Sequence, residues 1–258
     1  MSGAHHFLTD ERFAHSPIHR LDPRAKIVGC VGFTIVVVST PAQAAWAFVL
    51  YAAVLTFLFG LARLPLGYVL RRSLVVVPFV LMVAVFVPFF HSAGSGGYSL
   101  GGLRVSQSGL LVLWNVAAKG VLGVLSMILL ASTTSFPELV SGLEGLKVPR
   151  LFTMILAFMY RYSFLLVEEL QRMRRAMVAR GYRARWLWQA RILGNLASSL
   201  FLRSYARAER VYVAMVSRGF EGSMPVAARL DFSAADGVFL VGMVAVLTVI
   251  RVAAQVQV

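Results

Sequence analysis

Long stretches without a charged residue dominate the pattern of this 258-residue chain. Residues 27–62 carry no charge, and a single helix of that length would measure roughly 54 Å, well beyond a hydrocarbon core of about 30 Å. Ser39-Thr40-Pro41 interrupts the stretch, and proline disfavours helical geometry in the residue before it. The pattern therefore predicts two short membrane-spanning helices, about 25–39 and 43–61, joined by a tight turn.

Three further apolar stretches predict three more spans. One begins at Ser73 and ends near His91, before a predicted loop of sequence SAGSGGYSLGG, and the others cover about 106–131 and 236–254. Hydrophobic residues make up 59% of the chain and charged residues 14%, against about 45–50% and 25% in soluble domains. The predicted fold class is an all-α integral membrane protein with about five transmembrane helices and a coupling region of two to three long amphipathic helices.

The distribution of charge argues against a sixth span at residues 151–167, although this stretch is apolar. Residues 150–230 hold 14 arginines and 4 glutamates, a net +10 of the chain's +14. With five spans, the positive-inside rule places this block, the N-terminus and the basic 62–72 loop in the cytoplasm, whereas a sixth span would expose the block outside. We therefore expect a multi-pass protein of the bacterial cytoplasmic (inner) membrane with a cytoplasmic N-terminus.

Two amphipathic helices are predicted within the basic block. Apolar residues recur at helical spacing on one face of each, at Ile155, Met159, Tyr162, Leu166, Leu170, Met173 and Met177, and at Phe201, Tyr205, Ala208, Tyr212 and Met215. The first helix follows Pro149, the second covers roughly 198–217, and a short interfacial helix with Trp186 and Trp188 is predicted between them. We divide the chain into residues 1–135 with four spans, 136–232 with cytoplasmic coupling helices, and 233–258 with the final span.

Both amphipathic helices end in nearly the same sequence, MVARG at 177–181 and MVSRG at 215–219. Glycine after a helix end supplies a left-handed residue, and arginine suits the negative end of the helix dipole, so two ordinary terminators would explain the repeat. Alternatively, a guanidinium at each tip presents donors to carboxylates of a partner present in two copies. The candidate partner-binding residues are Ala179, Arg180, Gly181, Ser217, Arg218 and Gly219.

Three motifs resemble one family, the transmembrane T component of energy-coupling factor (ECF) transporters of the cobalt/nickel, CbiQ-like type. Residues 179–181 and 217–219 resemble its twin Ala-Arg-Gly-type motifs, with serine replacing alanine in the second copy. His-Arg-Leu-Asp-Pro-Arg-Ala-Lys at 19–26 is similar to its N-terminal signature, and Lys-Val-Pro-Arg at 147–150 to its pattern before the first coupling helix. The resemblance covers about residues 15–220.

The resemblance implies a non-catalytic subunit that transmits force during cobalt or nickel uptake. Arg180 and Arg218 would each enter a groove of one of two cytoplasmic ATP-binding cassette subunits, and scissoring of the two helices would tilt a separate substrate-binding membrane component, with or without a small accessory membrane subunit. Since the chain lacks a G-x-x-x-x-G-K-[ST] loop, we expect that it is not itself an ATPase, and we expect it to bind no cofactor. ATP and magnesium would be bound by the partner ATPases.

Other classes fit the residues less well. A self-contained secondary transporter usually has internal repeats and midplane carboxylates, which we do not find. A membrane enzyme would need a nucleophile and base near each other, and none is evident. The basic pI of about 11.0 suits nucleic acid, but with five spans we expect membrane lipid and acidic protein partners and no nucleic acid.

Two kinds of residue suggest other sites in the spans and termini. The five histidines, His5, His6, His15, His19 and His91, do not converge in the predicted topology, so we expect no metal site. Lys119 lies in the middle of the fourth span, where we expect it to bond backbone carbonyls or Asn115, with a role at the interface to the substrate-binding component as the alternative.

Overall fold

The computed structural model describes residues 18–19, 21–41, 44–64, 66–74, 97–100, 103–181, 190–222 and 232–256, and the single positions 78 and 82. These residues form eight helices and one two-stranded hairpin, which confirms the predicted all-α membrane class. The helices are α1 Pro23–Ser39, α2 Ala45–Leu61, α3 Leu66–Ser73, α4 Gln107–Thr133, α5 Phe136–Gly145, α6 Arg150–Ala179, α7 Ala190–Val216 and α8 Ala234–Val256; the strands are β1 Gly97–Leu100 and β2 Leu103–Ser106.

The hairpin corrects the predicted loop before the fourth span. β1 pairs with β2 in antiparallel register, with Gly97 opposite Ser106 and Leu100 opposite Leu103. The two strand sequences are separated by the dipeptide Gly101-Gly102, a combination that favours two-residue hairpin turns. The prediction of a loop is therefore wrong for residues 97–100, which form a strand.

Four of the five predicted spans match the helices α1, α2, α4 and α8 to within two residues at each end. α1 and α2 have 17 residues each and are separated at residues 40–44, as the proline predicts. Within the described part of the chain, three helical segments are long and apolar enough to cross a membrane: Trp114–Thr133, Arg150–Ala179 and Ala234–Gln255. Since α6 qualifies by length and composition, its placement on the cytoplasmic side rests on the charge argument and stays a prediction.

Two other boundaries differ from the sequence-based prediction. The basic 62–72 loop contains the helix α3, while most of the span predicted to follow it lies outside the described residues. α7 begins at Ala190, so residues 190–197 are part of the second amphipathic helix. The prediction of a separate interfacial helix is therefore wrong for these residues. A lone glycine such as Gly194 is tolerated inside a helix and does not end it. Residues 182–189, with both tryptophans, lie outside the described residues.

The described residues divide into two compact units, one of residues 143–222 and one of the remainder. In the second unit, α1 packs against α4 and α8, and α2 packs against the same two helices. Phe33 and Tyr51 meet edge to face with ring centroids 5.9 Å apart, and the Tyr51 hydroxyl lies 3.2 Å from the Thr40 hydroxyl. The core of this unit includes Phe33, Val37, Ala47, Phe48, Tyr51, Leu55, Leu122, Leu129, Leu247 and Ile250.

A buried carboxylate joins the start of α1 to the start of α8. The Asp22 carboxylate accepts a hydrogen bond from the Arg24 backbone N–H at 2.8 Å, which confirms the predicted N-cap. The Asp22 backbone N–H donates to Asp236 Oδ1 at 2.7 Å, and Asp236 Oδ2 accepts from the Ser233 N–H at 2.8 Å. Asp236 therefore caps its own helix and fixes the chain entering α1.

Lys26 connects the same region to the end of α4. Its Nζ donates to the carbonyls of His19 at 3.1 Å and Thr133 at 3.0 Å, and the side chain is buried. A cation at the carboxyl end of α4 also suits the helix dipole. Burial lowers the pKa of His19 below its ordinary value, while a hydrogen bond to the Ser132 backbone opposes this shift. The segment His19–Lys26, noted first for its resemblance, thus joins three helix ends.

Close packing at Gly142 leaves no room for a side chain between α5 and α1. A Cβ atom built there would lie 2.9 Å from Ile27 Cδ1 and 3.0 Å from Pro23 Cβ.

Along α4, Asn115 Oδ1 is buried with no hydrogen-bond partner among the described residues. The predicted hydrogen bond from Lys119 to this oxygen is therefore absent.

We predict that Lys26→Met destabilises the protein strongly. The substitution leaves the His19 and Thr133 carbonyls without their donor and removes the cation near Asp22, Asp236 and Glu138. Removing one partner of a buried charged group typically costs about 3–5 kcal/mol. Thermal unfolding of the purified protein in detergent measures the effect. Lys147→Met, at an exposed lysine, is the control, and an equal change in both variants would contradict the prediction.

Candidate functional site

The first predicted tip is an ordered helix ending. Arg180 is the C-cap of α6, and its backbone N–H approaches the carbonyls of Ala176 and Met177, both at 3.2 Å. Gly181 donates from its N–H to the Val178 carbonyl at 3.0 Å and has a φ of +76°. This is the left-handed conformation that the sequence predicted for a glycine at this place.

The second tip repeats this ending at the end of α7. The Arg218 N–H donates to the Met215 carbonyl at 2.9 Å, and the Gly219 N–H donates to the Val216 carbonyl at 3.0 Å. Gly219 has a φ of +80°, within a few degrees of the first copy. The Phe220 N–H closes the turn on the Met215 carbonyl at 3.1 Å, as in a Schellman motif. Both copies therefore end in an i→i−3 turn at a left-handed glycine, although α6 extends through Ala179 and α7 only through Val216.

Both tips present their arginines to solvent. All six candidate residues, Ala179, Arg180, Gly181, Ser217, Arg218 and Gly219, are exposed. Among the described residues, no carboxylate lies within 4 Å of the Arg180 or Arg218 guanidinium. Each tip therefore offers an unpaired fork of hydrogen-bond donors of the kind that binds carboxylates. Whether a partner occupies them stays a prediction.

The apolar stripes of α6 and α7 border one cavity of about 480 Å³, which we call the apolar groove. Four residues of the first predicted stripe and four of the second line it, so the two faces meet as the periodicity indicates. They are Ile155, Met159, Tyr162 and Leu166 of α6, and Phe201, Tyr205, Ala208 and Met215 of α7. Leu170, Met173, Met177 and Tyr212 belong to the predicted stripes but do not line the groove.

Large apolar side chains of the groove remain exposed. Phe201 is 68% exposed, Met159 and Tyr205 57% each, and Ile155 52%. An exposed apolar patch of contiguous large residues is typical of a surface that binds another protein or a membrane, because burying it gains roughly 25 cal/mol per Å². The groove therefore has the chemistry of an interface.

A second cavity between the same helices is lined by charged as well as apolar residues. It has a volume of about 350 Å³, and we call it the basic cleft. Its charged lining residues are Glu169 of α6 and Arg203, Arg207 and Arg210 of α7. Arg203 Nη1 donates to Glu169 Oε1 across the two helices. This ion pair is not predictable from the sequence, since only the packing of two helices brings residues 34 positions apart together.

Comparison of the sequence with models of known protein families identifies the family of this chain. The model of the cobalt transport protein family CbiQ matches residues 14–227, most of the chain and both arginine tips. The chain belongs to the CbiQ family. This confirms the resemblance drawn from the three motifs.

Relatives of this CbiQ-family chain are transporter components by name. It is 27% identical to the energy-coupling factor transporter transmembrane protein EcfT of Streptococcus thermophilus over 80% of this chain and 81% of that protein. It is 28% identical to EcfT of Brevibacillus brevis over 90% and 91% of the two chains. A putative fused cobalt transport protein CbiMQ of Methanocorpusculum labreanum is 26% identical over 85% of this chain and 37% of the relative.

The histidines contribute no metal site to the described part of this CbiQ-family chain. No group of three or more His, Cys, Asp or Glu side chains that would hold a metal ion occurs among the described residues. His19 is tied to the end of α4 by its hydrogen bond to Ser132. His5, His6, His15 and His91 lie outside the described residues.

We predict that Gly181→Ala loosens the first tip. An L side chain in the left-handed conformation costs roughly 1–2 kcal/mol, so amide hydrogen exchange in the last turn of α6 should become faster. Gly194→Ala is the matched control, because Gly194 lies inside α7 with open space around it and alanine favours helix there. Unchanged exchange in Gly181→Ala would show that the glycine is not needed to end α6.

Proposed function

We propose that this CbiQ-family chain is the transmembrane coupling subunit of an energy-coupling factor importer. It transmits the ATP-driven motion of two cytoplasmic ATP-binding cassette subunits to a separate substrate-binding membrane component, and the transported substrate is cobalt or nickel. The observation that carries the proposal is the pair of equivalent, exposed arginine tips on two packed amphipathic helices. Family membership and the names of its relatives support it.

The tips are the proposed contacts to the ATPases. Arg180 and Arg218 each precede a left-handed glycine in a similar hydrogen-bonded turn, so their guanidinium groups start from similar local backbones. Two equivalent sites of this kind suit a motor built from two similar subunits, with one tip in a groove of each. Acidic side chains in those grooves would pair with the guanidinium groups through charge-assisted hydrogen bonds.

The apolar groove is the proposed contact to the substrate-binding component. Its exposed aromatic and aliphatic residues suit a second apolar protein surface, and it lies between the two helices that carry the tips. The fused CbiMQ relative, of which this chain covers 37%, supports a cobalt system with a further membrane protein as partner.

The mechanism follows from the two surfaces sharing the same helices. When ATP binding by the partner ATPases brings the two tips together or apart, α6 and α7 change their crossing. Because residues of both helices line the groove, that change alters the surface on which the substrate-binding component rests. ATP and magnesium stay with the partner ATPases, and this chain contributes no catalytic group.

We predict that Arg180→Glu and Arg218→Glu each weaken binding to the ATPases and reduce ATP-driven uptake. The charge reversal places a carboxylate opposite the acidic groove, and losing a buried charged contact typically costs about 2–5 kcal/mol. Co-purification of the ATPases with the tagged chain, and ATP-driven uptake by the reconstituted complex, measure the effect.

Arg161→Glu serves as the control for these variants. Arg161 is an exposed arginine of the same helix, 19 positions before the first tip, so its reversal changes net charge equally and should leave ATPase binding intact. Normal ATPase binding and uptake in both tip variants would overturn the proposed function.

We predict that Phe201→Glu releases the substrate-binding component and leaves the ATPases bound. A carboxylate in the apolar groove cannot be buried without a large desolvation cost. Leu202→Glu is the matched control, since Leu202 is 66% exposed against 68% for Phe201 but does not line the groove. Pull-down of each partner separates the outcomes, and equal loss with both variants would contradict the assignment of the groove.

The substrate is tested by uptake into vesicles containing the whole complex. Cobalt and nickel are supplied singly and then together, with ATP inside. When both ions are supplied, the preferred metal is the one that still accumulates while uptake of the other is suppressed. Accumulation of neither ion would remove cobalt and nickel from the proposal and leave the coupling role open to the tests above.

A further inference from the structure

We infer that Glu169 is a positioning residue that fixes the crossing of α6 and α7 through its ion pair with Arg203. This inference rests on the proposed function for its meaning in transport, but its structural content concerns these two helices alone. The side chain of Glu169 is 19% exposed, while that of Glu168 is 61% exposed.

Glu169 has contacts on both helices. It accepts a hydrogen bond from Arg203 Nη1 of α7, and its Oε2 lies 3.9 Å from Nε of Arg172 on its own helix. Glu168 has an ion contact within α6 only, at 3.9 Å from Arg172. The bond from Glu169 to Arg203 is the sole ion pair between α6 and α7 in the described part of the chain.

The charges around the basic cleft make this one carboxylate important. Arg203, Arg207 and Arg210 recur on one face of α7 and line the cleft, and Arg172 stands beside Glu169 on α6. Among the described lining residues, Glu169 is the only acid. Glu169 is therefore the one carboxylate of the described cleft lining that pairs with an arginine of the other helix.

The position of the pair connects it to both functional surfaces. Leu165, Leu166, Ser204 and Arg207 line the basic cleft and also the apolar groove, so a wider cleft changes the groove. Glu169 lies 11 residues before Arg180, roughly 16 Å along the helix. A change in crossing at the pair is therefore transmitted to the tips by a continuous helix. The ion pair sets the resting geometry from which the tips move.

The test is a distance measurement between the helix ends in the full-length chain. Nitroxide labels are placed at Val178→Cys and Val216→Cys, both exposed positions, in a Cys30→Ala background in lipid nanodiscs. We expect Glu169→Gln to shift or broaden the distance distribution, and Arg203→Gln to do the same. The double variant should change it no further than either single variant, because both remove the same interaction.

The controls separate this role from a general loss of stability. Glu168→Gln removes an equal charge from the adjacent position and should leave the distribution unchanged. The exchanged pair Glu169→Arg with Arg203→Glu should move the distribution back toward that of the parent. An unchanged distribution in Glu169→Gln, or an equal shift in Glu168→Gln, would overturn the inference.

A second readout distinguishes failure of the inference from failure of the proposed function. In the assembled transporter, Glu169→Gln should lower the number of ions taken up per ATP hydrolysed while the ATPases remain bound. If no ATPase binds the parent chain, the proposed function fails and the distance measurement still decides the inference. If the ATPases bind and the distances and the uptake per ATP are both unchanged, the inference alone is wrong.

Discussion

The buried ammonium group of Lys26 holds together parts of the chain that are far apart in sequence. A charge removed from water needs partners nearby, and Lys26 finds the carbonyls of His19 and Thr133 and the negative potential of Asp22, Asp236 and Glu138. These groups come from the entry to α1, the end of α4, the start of α5 and the start of α8. The positions of these helix ends are therefore coupled, and with them the arrangement of α1 between α4 and α8 that forms the core of this unit.

The unit of α6 and α7 follows a different physical principle. It keeps large apolar side chains exposed in the groove and concentrates arginines around the cleft, so neither surface is stabilised fully by the chain itself. Natural proteins keep exposed apolar surface and clustered like charges, which lower stability, where function requires them. Under the proposed function, the missing stabilisation comes from partners: an apolar membrane protein over the groove and acidic grooves around the tips.

Local features of this fold were predictable from the sequence, because short-range physics determines them. The break between α1 and α2, the cap at Asp22 and the left-handed glycines at 181 and 219 each depend on a few adjacent residues. Helical periodicity also identified the faces that line the groove. The predicted start of α7 at about residue 198 was wrong, because the helix begins at Ala190. The composition around Trp186 and Trp188 had suggested a separate interfacial helix before residue 198.

Long-range pairings were not predictable from one sequence. The hydrogen bond from Asp22 to Asp236 joins residues 214 positions apart, and that from Arg203 to Glu169 joins residues 34 apart. Periodicity assigns a residue to a helix face but does not fix which partner lies opposite, so the sequence did not distinguish Glu169 from Glu168. For the same reason, the sequence did not show that Asp22 and Lys26 form hydrogen bonds at the ends of other helices.

The two tips differ at one position of the repeated motif. Ser217 replaces the alanine of the first copy, and its hydroxyl donates to the Val213 carbonyl at 2.9 Å within its own helix. The hydroxyl is thus satisfied locally, and Gly219 adopts a φ within 4° of that of Gly181. Since both endings place an arginine before a left-handed glycine while the faces of α6 and α7 differ, one chain presents two similar ends and one asymmetric groove. Under the proposed function, this arrangement converts the motion of a twofold motor into movement of a single membrane partner.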